Sequence, residues 1–197
     1  MKNASLAPIQ APFQRQRARL ARALLILALC MGGGTLLESA DRAAGESQIK
    51  AAFLSNFAKF ISWQGARPNT GGDFAIGVLE DDVFADELRT LVSGRSIGGR
   101  SVQVRLLHSL ADAVRMDVVF VPAGQEHDMG AHLASLRRSG VLTVGESRRF
   151  AELGGIINFQ LQSGKIRFSI NRQAAAEAGL KISPQLLKLA LGEGGVK

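Results

Sequence analysis

The chain has 197 residues, of which 24 are Lys or Arg and 17 are Asp or Glu, for a net charge of +7. Hydrophobic residues make up 46% and charged residues 21%. That composition excludes wholesale disorder and suits one ordinary domain, able to bury about two-thirds of its unfolded surface. Five of the 24 basic residues and one of the 17 acidic ones fall within residues 1–40, leaving 19 against 16 beyond. With no dense basic run in that remainder, nucleic-acid binding loses its electrostatic basis.

In chain order, Lys2, Arg15, Arg17, Arg19 and Arg22 precede "ALLILALCM" (23–31), an unbroken apolar run. A spanning helix needs about 20 such residues, so this run is too short to be one. Basic residues followed by a short apolar stretch form the pattern of a secretory signal peptide. Residues 1–40 are accordingly read as signal peptide and tether, with removal after Gly34, Ala40 or Ala44, none of them a clean A-x-A site. The single cysteine, Cys30, lies inside this segment, preceded by Leu29 where a lipoprotein signal wants a small residue. The exported part holds no cysteine and must fold without disulfides.

The next segment, "SQIKAAFLSNFAKFISWQ" (47–64), predicts a helix capped by Ser47 and stopped by Gly65 and Pro68. Phe53, Phe57, Phe60 and Trp63 recur at helical spacing, and Leu54, Ala58 and Ile61 form a second stripe beside Ile49, Phe53, Phe57 and Phe60. A membrane-surface helix would carry more Lys or Arg on its polar face, so the two stripes favour a helix laid across a sheet. "FAIGVLE" (74–80) reads as a strand, 81–92 as a helix and "SGRSIGGR" (93–100) as a turn. Then come a strand at 101–107, a short helix at 109–114, a buried strand at 117–122, a helix at 128–139, a strand at 141–145 and a short helix at 147–153. Apolar runs alternating with helices predict βαβ crossovers and a parallel sheet.

From Ile156 the period becomes two. In "IINFQLQSGKIRFSIN" (156–171), Ser163-Gly164 predicts a two-residue turn. The register pairs Leu161 with Ile166, Phe159 with Phe168 and Ile157 with Ile170 on a dry face. It pairs Gln160 with Arg167 and Asn158 with Ser169 on a wet one. Asn171 caps a further helix stopped by Gly179, and Ser183-Pro184 opens a last one. The expected fold is α/β, a single domain over 47–192. Its parallel-rich sheet has about four βα units, finished by an antiparallel hairpin, with helices on both faces.

Catalytic chemistry is sparse. His127 and His132 in "EHDMGAH" stand five apart, which turns their rings about 140° from each other on a helix. Together with His108 they read as surface residues. Glu80, Asp81 and Asp82 suit a helix N-terminus. No P-loop, nucleophile elbow or thiol nucleophile is present, so no enzyme, metal or cofactor is expected. In parallel sheets ligands bind beyond the carboxyl ends of strands, which makes Glu146 and Ser147 candidates for a ligand crevice.

"KAAFLSNFAKFISW" (50–63) resembles the opening signature of the YfiR-like periplasmic proteins. The resemblance continues through "FAIGVLEDDVFADEL" (74–88), "GRSIGGRSVQVRLL" (94–107), "DVVFV" (117–121), "VLTVGES" (141–147), "FAELGGIINFQLQSGKIRFSIN" (150–171) and "AGLKISPQLLKLA" (178–190). It implies a small α/β protein, Sec-exported to the periplasm and not an enzyme. By this resemblance it is a homodimeric repressor of an inner-membrane diguanylate cyclase, relieved by an outer-membrane OmpA-like lipoprotein. Cyclic di-GMP output and biofilm formation would follow. The missing cysteines mean that any disulfide-based control in the family's best-known member does not carry over. A periplasmic small-ligand sensor serving a transporter or sensor kinase is the alternative. For partner binding, the candidates are Phe57, Phe60 and Trp63 together with Gln160 and Arg167, because hot spots favour Trp and Arg.

Overall fold

The structure, a computed structural model, describes residues 34–65, 69, 72–125 and 129–191, with side chains from residue 43 onward. The predicted basic and apolar parts of the signal segment, with Cys30, and also His127 and Asp128, lie outside the described residues. The chain divides into two units, Met1–Gly45 and Glu46–Lys197. In the first, the described residues 34–45 are helical. The second is the α/β domain.

Its helices and strands, in chain order, start with α1 (Gly34–Phe57), a 3-10 turn (Ala58–Phe60), β1 (Ile61–Trp63), β2 (Phe74–Leu79), α2 (Asp82–Val92) and β3 (Ser96–Ile97). Next come β4 (Arg100–Leu107), a 3-10 stretch (Leu110–Arg115), β5 (Val118–Val121), α3 (Met129–Arg138), β6 (Leu142–Gly145) and α4 (Arg148–Glu152). The chain closes with β7 (Ile157–Gln162), β8 (Lys165–Ile170), α5 (Arg172–Glu177), β9 (Leu180–Ile182) and α6 (Pro184–Leu189). Seven strands form one sheet in the order β3-β4-β2-β5-β6-β7-β8. The run from β4 to β7 is parallel, and β3 and β8 are added antiparallel at its two edges.

Alternation along the central strands splits the core between the two sheet faces. Ile76, Val78, Val118 and Phe120 enter one apolar cluster with residues of α1, α2, α5 and α6. Ala75, Leu79, Val119 and Val121 enter the other with Met129, Leu133 and Leu136 of α3 and Phe150 of α4. Helices therefore cover both faces, as parallel strands require. The first cluster is organised by rings: Phe57 lies 5.1 Å from Phe168, edge-on, and 5.7 Å from Phe159. Short polar residues start the helices. Asp81, Ser147, Asn171 and Ser183 each accept the main-chain N–H three residues on. The predicted hairpin register holds residue for residue, and Ser163 (φ 51°) with Gly164 (φ 70°) makes a two-residue turn of the twist-compatible kind.

Several expectations need correction. The helix predicted over 47–64 starts at Gly34, where a tether was expected, and ends at Phe57. The spacing of three from Phe57 to Phe60 belongs to a 3-10 turn, and Trp63 lies in β1, which pairs antiparallel with β9. Three-residue strands leave too little pattern to outweigh a helical period. "SGRSIGGR" contains β3, folded back on β4 by Gly98 and Gly99, both at positive φ. Ile49 is 47% exposed, off the stripe in which the periodicity placed it. Leu161 is 58% exposed because the hairpin tip outruns its cover, while Asn158, on the expected wet face, is buried.

Asp117, fully buried just before β5, ties the amino ends of the central strands together. Arg100, at the start of β4, clamps it with two bonds, Nη1 to Oδ1 at 2.8 Å and Nη2 to Oδ2 at 3.0 Å. Oδ2 also accepts from Ala75 N in β2 and from Asn69 Nδ2. Arg100 further donates to the carbonyls of Gly72 and Asp73 and lies 5.5 Å from the Phe74 ring centre. Removing one partner of such a pair strands a buried charge, at about 3–5 kcal/mol. Arg100→Met is expected to cost that much in urea denaturation, whereas Arg167→Met, on an exposed site, is expected to stay within about 0.5 kcal/mol.

Candidate functional site

At the opposite, carboxyl end of the sheet the strands are of unequal length. β6 stops at Gly145 after pairing only Val144 with Ile157 and Gly145 with Asn158. β7 then runs on to Gln162 with β8 as its partner. The space beside the overrun is a cleft of about 220 Å³, closed above by Glu46 and Lys50 of α1 and floored by Phe159 and Ile166. Ala123, Glu146, Gln160 and Leu161 complete it.

Glu146 is held from two sides. Its Oε1 accepts from Ala123 N at 3.1 Å. Its Oε2 is met by the Lys50 ammonium at 2.5 Å. Both side chains are about four-fifths buried, at 20% and 17% exposure. An ion pair four-fifths buried in a partly apolar cleft is a point at which a polar guest could exchange for either partner. Gln160 is steadied by its Nε2 donating to Ser169 Oγ at 3.1 Å.

A second crevice of about 250 Å³ sits where the chain leaves β2 for one face and β5 for the other. Such switch points are the usual ligand positions of open parallel sheets. Glu80, His108, Ser109, Gln125 and His132 line it. Glu80 adopts φ 47°, a left-handed conformation that costs a residue with a side chain about 1 kcal/mol or more. Among the described residues no three His, Cys, Asp or Glu side chains come together as a metal site.

The structure brings together Glu146 and Gln160, which the sequence had assigned to different roles. Ser147 caps α4 by accepting from Phe150 N at 3.0 Å. Arg167 stands opposite Gln160, exposed on the hairpin. Phe57 is 1% exposed, so its ring serves the core. Phe60 is half-buried against the same cluster. Trp63 donates Nε1–H to Gly140 O at 3.0 Å and meets Phe74 edge-on at 5.9 Å. Lys50 was missed: it had the look of a solvated helix residue, and its partner is distant in sequence.

The profile of the YfiR/HmsC-like family matches residues 47–191, most of the chain and nearly all of the second unit. The chain belongs to the YfiR/HmsC-like family. That family comprises periplasmic regulators rather than enzymes. Among solved structures, the fold is similar to a conserved domain protein of Vibrio cholerae O1 biovar El Tor, at 12% identity and a TM-score of 0.50, covering 73% of this chain and 58% of that one. It is also similar to an ABC domain in complex with L-Trp from Streptococcus pneumonia, at 13% identity and a TM-score of 0.51, covering 74% and 59%. The chain thus spans about six-tenths of each, and the likeness is one of fold. No helix among the described residues of this family member is long and apolar enough to cross a membrane.

Lys50→Ala is expected to leave Glu146 Oε2 without a partner, at about 1–3 kcal/mol in thermal or urea unfolding. Ser147→Ala is expected to cost about 1 kcal/mol through the lost cap and to leave the cleft unchanged, as read from the Gln160 side-chain amide signals.

Proposed function

We propose that this chain is a periplasmic regulator that binds the periplasmic region of an inner-membrane diguanylate cyclase and holds it inactive, thereby setting cyclic di-GMP output and biofilm formation. The observation that carries this reading is the family match across residues 47–191. In the same reading, a Sec signal within residues 1–40 delivers the protein, a homodimer is its working state, and an OmpA-like outer-membrane lipoprotein withdraws it from the cyclase.

The mechanism is a population shift. The regulator binds an inactive receptor conformation better than an active one, and a competitor for the same surface restores the active one. Driving such an equilibrium from 1:99 to 99:1 takes a differential affinity of about 10⁴, or about 5.5 kcal/mol. No bond is made or broken by the regulator itself.

A second reading, a periplasmic small-ligand sensor serving a transporter or sensor kinase, draws on the Lys50–Glu146 cleft at the strand ends. The fold likeness to a domain solved with L-Trp is in keeping with it.

Deleting the gene is expected to raise cellular cyclic di-GMP and surface attachment, and the exported chain supplied in trans is expected to restore both. Affinity capture from the cell envelope is expected to return a membrane diguanylate cyclase. Unchanged cyclic di-GMP, with capture that repeatedly returns no membrane signalling protein, would sink the first reading in favour of the second.

A further inference from the structure

The outer edge of β8 offers main-chain groups beside exposed basic side chains. Asn171 N donates to Ile156 O, and the register runs unbroken from there. By the alternation of antiparallel ladders, the pairs 158/169, 160/167 and 162/165 are then the hydrogen-bonded ones. Ile166, Phe168 and Ile170 therefore aim their main-chain groups away from β7. The carboxyl half of this edge is covered: Leu191 N donates to Phe168 O at 2.8 Å, and Leu191 bridges Ser169. The amino half has no such cover among the described residues, with Ile166 8% and Phe168 2% exposed. Ile166 N–H and C=O and Phe168 N–H have no main-chain partner among the described residues.

The side chains flanking this opening differ by face. Lys165 and Arg167 are exposed on one, and among the described residues neither pairs with a carboxylate. On the other lies Ile166, with Leu161 directly across from it on β7 58% exposed. The edge thus has a basic side and an apolar side. Open edges are places where a second strand adds. A second copy of the chain is a poor fit, because antiparallel pairing about Ile166 sets Lys165 of each copy against Arg167 of the other, and like charges across a ladder are destabilising.

We propose that the outer edge of β8, centred on Ile166, receives an extended segment of a partner protein whose residues alternate acidic and apolar. Its carboxylates lie over Lys165 and Arg167, and its apolar side chains lie beside Ile166 on the other face. The proposal rests on the reading that this protein acts by protein contact, and it names the chemistry of the partner strand.

The test uses the full chain and three short labelled peptides: alternating Glu and Val, alternating Lys and Val, and the Glu/Val peptide with central prolines. The Glu/Val peptide is expected to bind and to slow amide exchange at Ile166 and Phe168, with the other two failing. Lys165→Glu with Arg167→Glu is expected to weaken Glu/Val binding by about tenfold or more and to admit the Lys/Val peptide, with the unfolding midpoint unchanged. Equal binding of the acidic and basic peptides would overturn the proposal. So would an Ile166 amide left unprotected by bound peptide, or one already protected by dimerisation in its absence. Such a failure leaves the cyclase reading standing, since cellular cyclic di-GMP and envelope capture judge that separately.

Discussion

Asp117 is the residue on which the sheet's order depends. Its carboxylate meets Ala75 and Arg100, and its main chain both donates to Ala75 O and accepts from Leu142 N. One residue therefore ties β2, β4, β5 and β6 at their amino ends. A fully buried carboxylate is tolerable only when a cation and several donors surround it, and here Arg100 supplies the cation with a planar fork that matches both oxygens. Arg100 also gathers the loop carbonyls of Gly72 and Asp73, so the segment entering β2 is drawn into the same clasp.

Fastening one end of a parallel sheet leaves the other for function. At the carboxyl ends nothing comparable crosses the strands among the described residues, and their lengths differ. β6 stops early and the β7–β8 hairpin continues alone, which makes a cleft on one side of the ribbon and an open edge on the other. The Lys50–Glu146 pair joins α1 to the end of β6 across that cleft. The exposure of Leu161 and the burial of Phe159, two residues apart on one face, mark where the cover by α1 gives out.

Much of this was legible in the chain. Period-two alternation placed the hairpin and its register because the two faces of an antiparallel pair differ in polarity, and a slip of one residue would invert them. The caps at Asn171 and Ser183 were readable because a short oxygen-bearing side chain before an apolar run has a local partner. β1 and β9 were not readable. Each is three residues long and stable through the other, and Trp63 looked like the next turn of a helix until Leu180 was found opposite it. Asn158 was misjudged for a related reason: its neighbours on β7 said wet, while the helices packed on that face said dry.

By itself the sequence determined the class, the order of the longer helices and strands, the hairpin register and the lack of any cysteine after Cys30, since each rests on local periodicity, capping or simple residue count. It also carried the family resemblance, which is written in consecutive motifs. The tertiary structure alone decided that Arg100 would meet Asp117, that Lys50 would meet Glu146 beside Gln160, and that the Ile166 main chain would face away from β7 with no main-chain partner among the described residues. Those are juxtapositions between segments far apart in the chain. No periodicity encodes them, because the free energy that selects them is that of desolvating and pairing groups only after the sheet has closed around them.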